Sequence, residues 1–194
     1  MGVHGPTVAQ SRPIVPSAVL GMAMFIATET MFFAGLVSAF LVLRAQSPDW
    51  PPIDQPRLPV GVTGLNTLFL LASGLTIQRA AAALRRGEKT VARWLRITLG
   101  LGVLFLGIQG SEWVRLVRYG LTTWSSLYGA TFYTLVGAHG LHVLAAVIAL
   151  GVALRRAVTG PVPAAAAAWL TPFRMYWFFV VAVWPILYVL VYLS

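Results

Sequence analysis

The sequence predicts an all-α polytopic membrane protein, a bundle of five transmembrane helices. Three observations carry that reading. The 194 residues are 58% hydrophobic and 10% charged, whereas a soluble domain carries about 25% charged residues; the mean hydropathy is +0.80. Five stretches, at about 17–43, 60–84, 94–116, 124–154 and 171–193, are long and apolar enough to cross a bilayer, which takes roughly 20 residues as a helix. Away from their ends, these stretches hold only three side chains that carry acid–base chemistry near neutral pH: Glu29, His139 and His142. The spans fill most of the chain. Residues 1–194 are therefore read as a single transmembrane helical domain, with 1–16 as an N-terminal tail.

That tail contains His4, Pro6, Pro13 and Pro16 and is expected to be loose. No cleavable signal peptide is expected, because the first apolar run is too long and contains Glu29. Within that run Ala34/Ser38 and Gly35/Ala39 are small pairs four apart, a pattern that lets helices approach closely. Pro48, Trp50-Pro51-Pro52, Pro56 and Pro59 then make a loop that cannot be regular helix throughout.

The second stretch has Asn66 near one end and Gln78 near the other, both placed to cap or link helices. The third is lightened by Gly100, Gly102, Gly107 and Gly110, and ends on Gln109, Glu112 and Arg115. Glu112 and Arg115 are three apart and can pair, and their depth makes that pair interfacial. The fourth stretch holds both deep histidines. Residues 159–168, with Gly160-Pro161, Pro163 and five alanines, join it to the fifth. There Trp177 and Trp184 lie deep enough to pack, and Pro185 should kink the helix or remove one of its hydrogen bonds. Trp94, Trp113, Trp124 and Trp169 fall near helix ends, where indoles anchor at the interface.

The formal charge of +9 does not imply nucleic acid, because its distribution follows the helices. Arg12, Arg79, Arg85, Arg86, Lys89, Arg93, Arg96, Arg155, Arg156 and Arg174 are ten of the 14 basic residues and fall on one side if the helices alternate. Arg44, Arg57, Arg115 and Arg118 fall on the other. An excess of basic residues marks the cytoplasmic side. The N-terminus is thus expected in the cytoplasm of a bacterial-type inner membrane, with the C-terminus outside. The absence of cysteine excludes disulfides, thiolate catalysis and iron–sulfur ligation by this chain.

Glu29, His139 and His142 form the candidate polar intramembrane cluster. A charged side chain at mid-bilayer costs about 3 kcal/mol on insertion scales, so these groups need partners. The histidines are three apart on one helical face. A haem would need ligands facing it from both sides, and a metal a third ligand, for which Glu29 is the only deep candidate. A structural, hydrogen-bonded histidine pair is the plainer reading. The sharper one is a Glu29–histidine contact in which the proton is shared or the carboxyl is neutral. A stand-alone proton channel or transporter built on these groups, and a membrane cytochrome, are the readings of other classes. No internal repeat of the transporter kind is visible.

Several segments resemble one family. They are Leu20-Gly21-Met22 through Phe25, Glu29-Thr30-Met31-Phe32-Phe33-Ala34-Gly35, Trp50-Pro51-Pro52, Leu65-Asn66-Thr67-Leu68-Phe69-Leu70-Leu71-Ala72-Ser73 and Gln109-Gly110-Ser111-Glu112-Trp113. Gly137-Ala138-His139-Gly140-Leu141-His142-Val143 is the most specific, and Tyr176-Trp177 with Trp184 completes the order. Together they resemble subunit III of haem–copper (cytochrome c) oxidases, in its five-helix rather than its seven-helix form.

The resemblance implies an accessory chain of an oxidase that reduces oxygen to water and pumps protons. It implies no catalytic residue, haem, copper or other metal in this chain. Haem and copper are expected in the partner, catalytic subunit I. It further implies assembly with other oxidase subunits, bound phospholipid, and support of proton uptake; a larger respiratory supercomplex is left open. Glu29 matches the family's carbodiimide-reactive membrane glutamate. The family also includes quinol-oxidase and nitric-oxide-reductase-associated subunits, which the sequence does not separate. One departure stands out: Phe178 and Val181 occupy positions where the family's final helix usually has His and Asp.

Overall fold

A computed structural model of the chain describes residues 16–52, 55–160 and 168–193. It is all-α, and the described residues contain no strand. The helices are α1 (Ser17–Ala45), α2 (Val60–Arg85), α3 (Val91–Arg118), α4 (Leu127–Thr159) and α5 (Thr171–Leu187), the last continued by a π-helical turn, Tyr188–Tyr192. All five spans are long and apolar enough to cross a membrane. Most of the tail, part of the proline-rich loop and most of the alanine-rich connection lie outside the described residues.

The helix ends follow local chemistry. α2 closes with Gly87 at φ 66°, the Gly87 N–H donating to Leu84 and the Glu88 N–H to Ala83. α3 closes the same way at Gly120, φ 92°. Glycine suits these left-handed positions because it has no Cβ to clash. α4 starts at Leu127, three residues later than expected, because Ser126 caps it by accepting from the Gly129 N–H at 3.0 Å. Trp124, at 95% exposure, is left as an interfacial indole in the preceding turn. Pro185 does not end α5; the chain continues into the wider π turn directly after it.

Helices α2 to α5 form the packed group, and α1 leans on its α4–α5 side. The register is read from side-chain contacts. Asn66 of α2 donates to the Phe105 carbonyl of α3 at 3.1 Å, and Thr76 meets Thr98 at 2.8 Å, so these helices run antiparallel. Trp177 Nε1 donates to Ser73 Oγ at 3.0 Å and Trp184 Nε1 to Thr67 Oγ1 at 2.8 Å, which fixes α5 against α2. Ser73 and Thr67 pass their own hydroxyl protons to the Leu70 and Thr63 carbonyls. Water-driven burial does not hold membrane helices together. Close packing and satisfied hydrogen bonds must do it, and both indoles are fully buried with theirs satisfied.

The small-residue expectations divide sharply. Gly102 is required: a Cβ there would stand 2.5 Å from the Trp177 ring. Gly35, Gly100, Gly107 and Gly110 have no side chain or neighbouring helix within 4 Å of an added Cβ. Gly35, with Ala34, Ser38 and Ala39, lies on an exposed face of α1. Those small faces point out of the chain rather than into its own packing. α1 itself buries only Phe33 and Phe40.

Candidate functional site

Glu29 sits a little short of half way along α1, on the side that meets α4. Its Oε2 lies 2.8 Å from His142 Nε2. The two side chains are 19% and 18% exposed, so Glu29 is turned to the helices rather than to the surroundings. Among the described residues this is the one side-chain hydrogen bond that joins α1 to the other helices.

The other ring nitrogen fixes the proton arrangement. His142 Nδ1 lies 2.7 Å from the Ala138 carbonyl oxygen, one turn back on α4. A carbonyl can only accept, so Nδ1 carries hydrogen. The contact between Nε2 and Oε2 then holds one proton. It is either a carboxylic acid donating to a neutral imidazole, or an imidazolium donating to a carboxylate. Both forms have no net charge, which is what an apolar slab tolerates. A ring cluster encloses the pair: Phe33 is 5.0 Å from the His142 ring, Phe32 6.1 Å and Phe179 6.5 Å. Tyr176 donates its hydroxyl to the His142 carbonyl at 3.3 Å.

His139 does not join this pair. It is 1% exposed, stacked on Trp184 at 5.0 Å, with Phe105 and Phe33 edge-on at 6.2 and 6.4 Å. Neither ring nitrogen has a hydrogen-bond partner among the described residues. The three-residue cluster therefore resolves into one bonded couple and one imidazole in an aromatic cage. His142 has both nitrogens engaged, and no group of three metal-binding side chains occurs among the described residues.

The second polar group is also split. Arg115 Nη1 donates to Glu112 Oε1 at 3.1 Å, with the arginine side chain 61% and the glutamate side chain 7% exposed. Glu112 thus faces the bundle interior while Arg115 reaches outward. Gln109 turns away from both and donates to the Tyr192 hydroxyl at 2.9 Å, tying α3 to the π turn. Phe178 and Val181 flank Gly74, at 3.6 and 3.5 Å from an added Cβ, and make a purely apolar contact with α2.

Sequence reasoning assigned no contact to Thr67, Ser73, Tyr176 or Tyr192, the first three of which it named only within the resembling segments. Spacing held a signal for the first two. Trp177 and Trp184 are seven apart, two helical turns, and face Thr67 and Ser73, six apart. Nothing local pointed to Tyr192, whose partner lies 83 positions away.

A family profile described as cytochrome c oxidase subunit III matches residues 4–194. The chain is 37% identical over 184 residues to a probable cytochrome c oxidase subunit 3 of Mycobacterium leprae, covering 94% of this chain and 89% of that one. It is 34% identical over 175 residues to the cytochrome c oxidase subunit 3 of Synechocystis sp., covering 89% and 74%. The corresponding protein of Sus scrofa is 38% identical over 185 residues, covering 89% and 67%.

Proposed function

The chain belongs to the cytochrome c oxidase subunit III family, and on that premise we propose that it is the non-redox accessory subunit of a haem–copper terminal oxidase. It packs against the catalytic subunit, holds phospholipid, and sustains proton uptake by its partner. The observation that carries the reading is how its deep polar groups are used. Glu29 and His142 neutralise each other at 2.8 Å, and His139 is shut among rings. Neither arrangement offers facing axial ligands or an open coordination position. The outward small-residue faces of α1 and α3 suit close approach by helices of another membrane subunit.

In this role the Glu29–His142 couple is a structural latch with a mobile proton. Its hydrogen bond holds α1 on α4, and the proton can sit on either partner without changing the net charge. Neutralisation of both groups in place lets a carboxyl reside at mid-depth without water.

Oxygen-consumption kinetics of the oxidase with and without this subunit test the proposal. Loss of the chain should leave initial turnover intact and then shorten the working life of the enzyme or slow proton delivery. Immediate, complete loss of turnover in an intact catalytic subunit would assign this chain a direct catalytic role and overturn the reading.

A further inference from the structure

The Arg118 end of the bundle brings together the first turns of α2, the last turns of α3 and the π turn that continues α5. Polar side chains are buried where they meet. Thr63 and Asn66 of α2 are each 1% exposed, and Gln109 and Glu112 of α3 are 4% and 5% exposed. Tyr192 of the π turn is buried beside them, its hydroxyl 2.9 Å from Gln109 Nε2. Asn66 reaches the Phe105 carbonyl, one turn before Gln109. Thr63 and Glu112 also lie close enough to act on the Tyr192 hydroxyl. Five polar groups thus gather at one place between three elements.

Most of these groups are only half engaged. Asn66 and Gln109 use their N–H ends, on the Phe105 carbonyl and the Tyr192 hydroxyl, and their carbonyl oxygens have no partner among the described residues. Glu112 gives Oε1 to Arg115 and leaves Oε2 without a partner there, and the Thr63 hydroxyl is unpartnered as well. The Asn66 amide cannot be turned over, because a backbone carbonyl only accepts. Turning over the Gln109 amide exchanges one orphaned atom for another. A buried polar atom without a partner carries its full desolvation cost, and native folds leave few of them. Four in one place mark a site whose occupant bonds to them together.

The chemistry of the site selects that occupant. The free oxygens of Asn66, Gln109 and Glu112 accept, so the occupant must donate. The Thr63 and Tyr192 hydroxyls carry protons of their own, so it must also accept. The Glu112 carboxylate is already matched by the Arg115 guanidinium, so a neutral occupant leaves the site balanced and a metal cation does not. Water meets all three conditions, and a buried water bonds to about three polar groups. Its way in is short. Arg115 borders an open cavity of about 610 Å³, with Ser111, Arg118 and Tyr119, and Glu112 lies directly behind it.

We propose that Thr63, Asn66, Gln109, Glu112 and Tyr192 form a binding site for internal water, which joins the Glu112 carboxylate to the two amides and links α2, α3 and the π turn. The bound water supplies hydrogen bonds that no side chain supplies, and a water bridge is nearly as favourable in enthalpy as a direct bond. It also keeps a carboxylate hydrated inside the bundle. Pro185 takes part indirectly: the wide turn that follows it carries Tyr192 to the site, and such turns recur at functional positions.

X-ray radiolysis of the purified complex that contains the chain, read by mass spectrometry, tests it. Hydroxyl radicals form from water where it stands, so a buried ring is oxidised only where water touches it. Tyr192 should be oxidised several-fold more than Trp177, a buried ring whose Nε1 is already bonded to Ser73. Asn66→Leu with Thr63→Val should bring Tyr192 down to the level of Trp177. If that double variant fails to fold, Thr63→Val alone, a methyl for a hydroxyl at nearly the same volume, should still lower the oxidation several-fold. Oxidation of Tyr192 no greater than that of Trp177 would overturn the proposal. So would oxidation unchanged by the substitutions, which would mean that bulk solvent reaches the ring. The unfolding temperature of the wild type should be the same in sodium, potassium or choline chloride at one ionic strength. A gain specific to sodium or potassium, lost in the variant, would assign the site to a metal cation and overturn the water.

Discussion

His142 determines how Glu29 is tolerated. Because Nδ1 is committed to the Ala138 carbonyl, only Nε2 is left for the carboxyl, and the couple keeps one proton between them. An amide can replace that carboxyl, since its N–H donates to the Nε2 lone pair. Glu29→Gln should therefore keep α1 docked, with thermal stability in detergent unchanged within about 0.5 kcal/mol. Glu29→Leu should lose the bond and cost about 1 kcal/mol, the size measured for hydrogen bonds between membrane helices. Equal stability of the two variants would show that the contact does not hold α1. Glu88, in the α2–α3 turn, gives a pH prediction. Hydrogen bonds from Arg86 and then Thr90 hold its carboxyl below its usual value of 4.5. A depressed carboxylate stabilises the fold above the unfolded value and loses that contribution as pH falls through the folded one. Thermal unfolding should thus show a small acid-side decline beginning below about pH 4.5, absent in Glu88→Gln. The site is exposed, so the effect is slight and should shrink in high salt.

At the scale of elements, α5 ties the packed group together and α1, which leans on it, is the least buried helix. Trp177 occupies the space that Gly102 vacates, so α3 and α5 touch across a missing Cβ. Gly102→Ala should overpack this contact and cost about 1–3 kcal/mol, read as a lowered unfolding temperature of the solubilised chain. Gly100→Ala and Gly107→Ala meet nothing within 4 Å in the chain itself and should be neutral for its own stability. If they instead weaken assembly with the catalytic subunit, the small faces are interhelical contacts of the complex. The glycine pattern in the sequence showed that close approach would occur on α3. It did not show which glycine was used internally, because that depends on where the large indole of another helix arrives.

For the whole molecule, the alternation of five spans and the ten-to-four division of basic residues predict one orientation. Glu88→Cys should be labelled by an impermeant thiol reagent only from the cytoplasmic side, and Ser47→Cys, beyond the far end of α1, only from outside. Labelling of position 88 solely from outside would reverse the topology. The same division separates the basic end from the end that Arg115 and Arg118 mark.

The sequence by itself determined the class of molecule and the order of its spans, because apolar length and charge placement answer directly to the thickness and dielectric of a bilayer. It also singled out Glu29, His139 and His142, since an ionisable group far from water is costly wherever the fold places it. Only the tertiary structure decided their pairing. Spacing puts both histidines on one side of α4, but three helical positions leave them roughly 60° apart, which turns His142 toward α1 and His139 toward Trp184 and Phe105. The burial of Glu112 and the partnership of Gln109 with Tyr192 were likewise set by packing. Each joins residues from distant parts of the chain or depends on how a helix is rotated, and neither composition nor periodicity encodes that rotation.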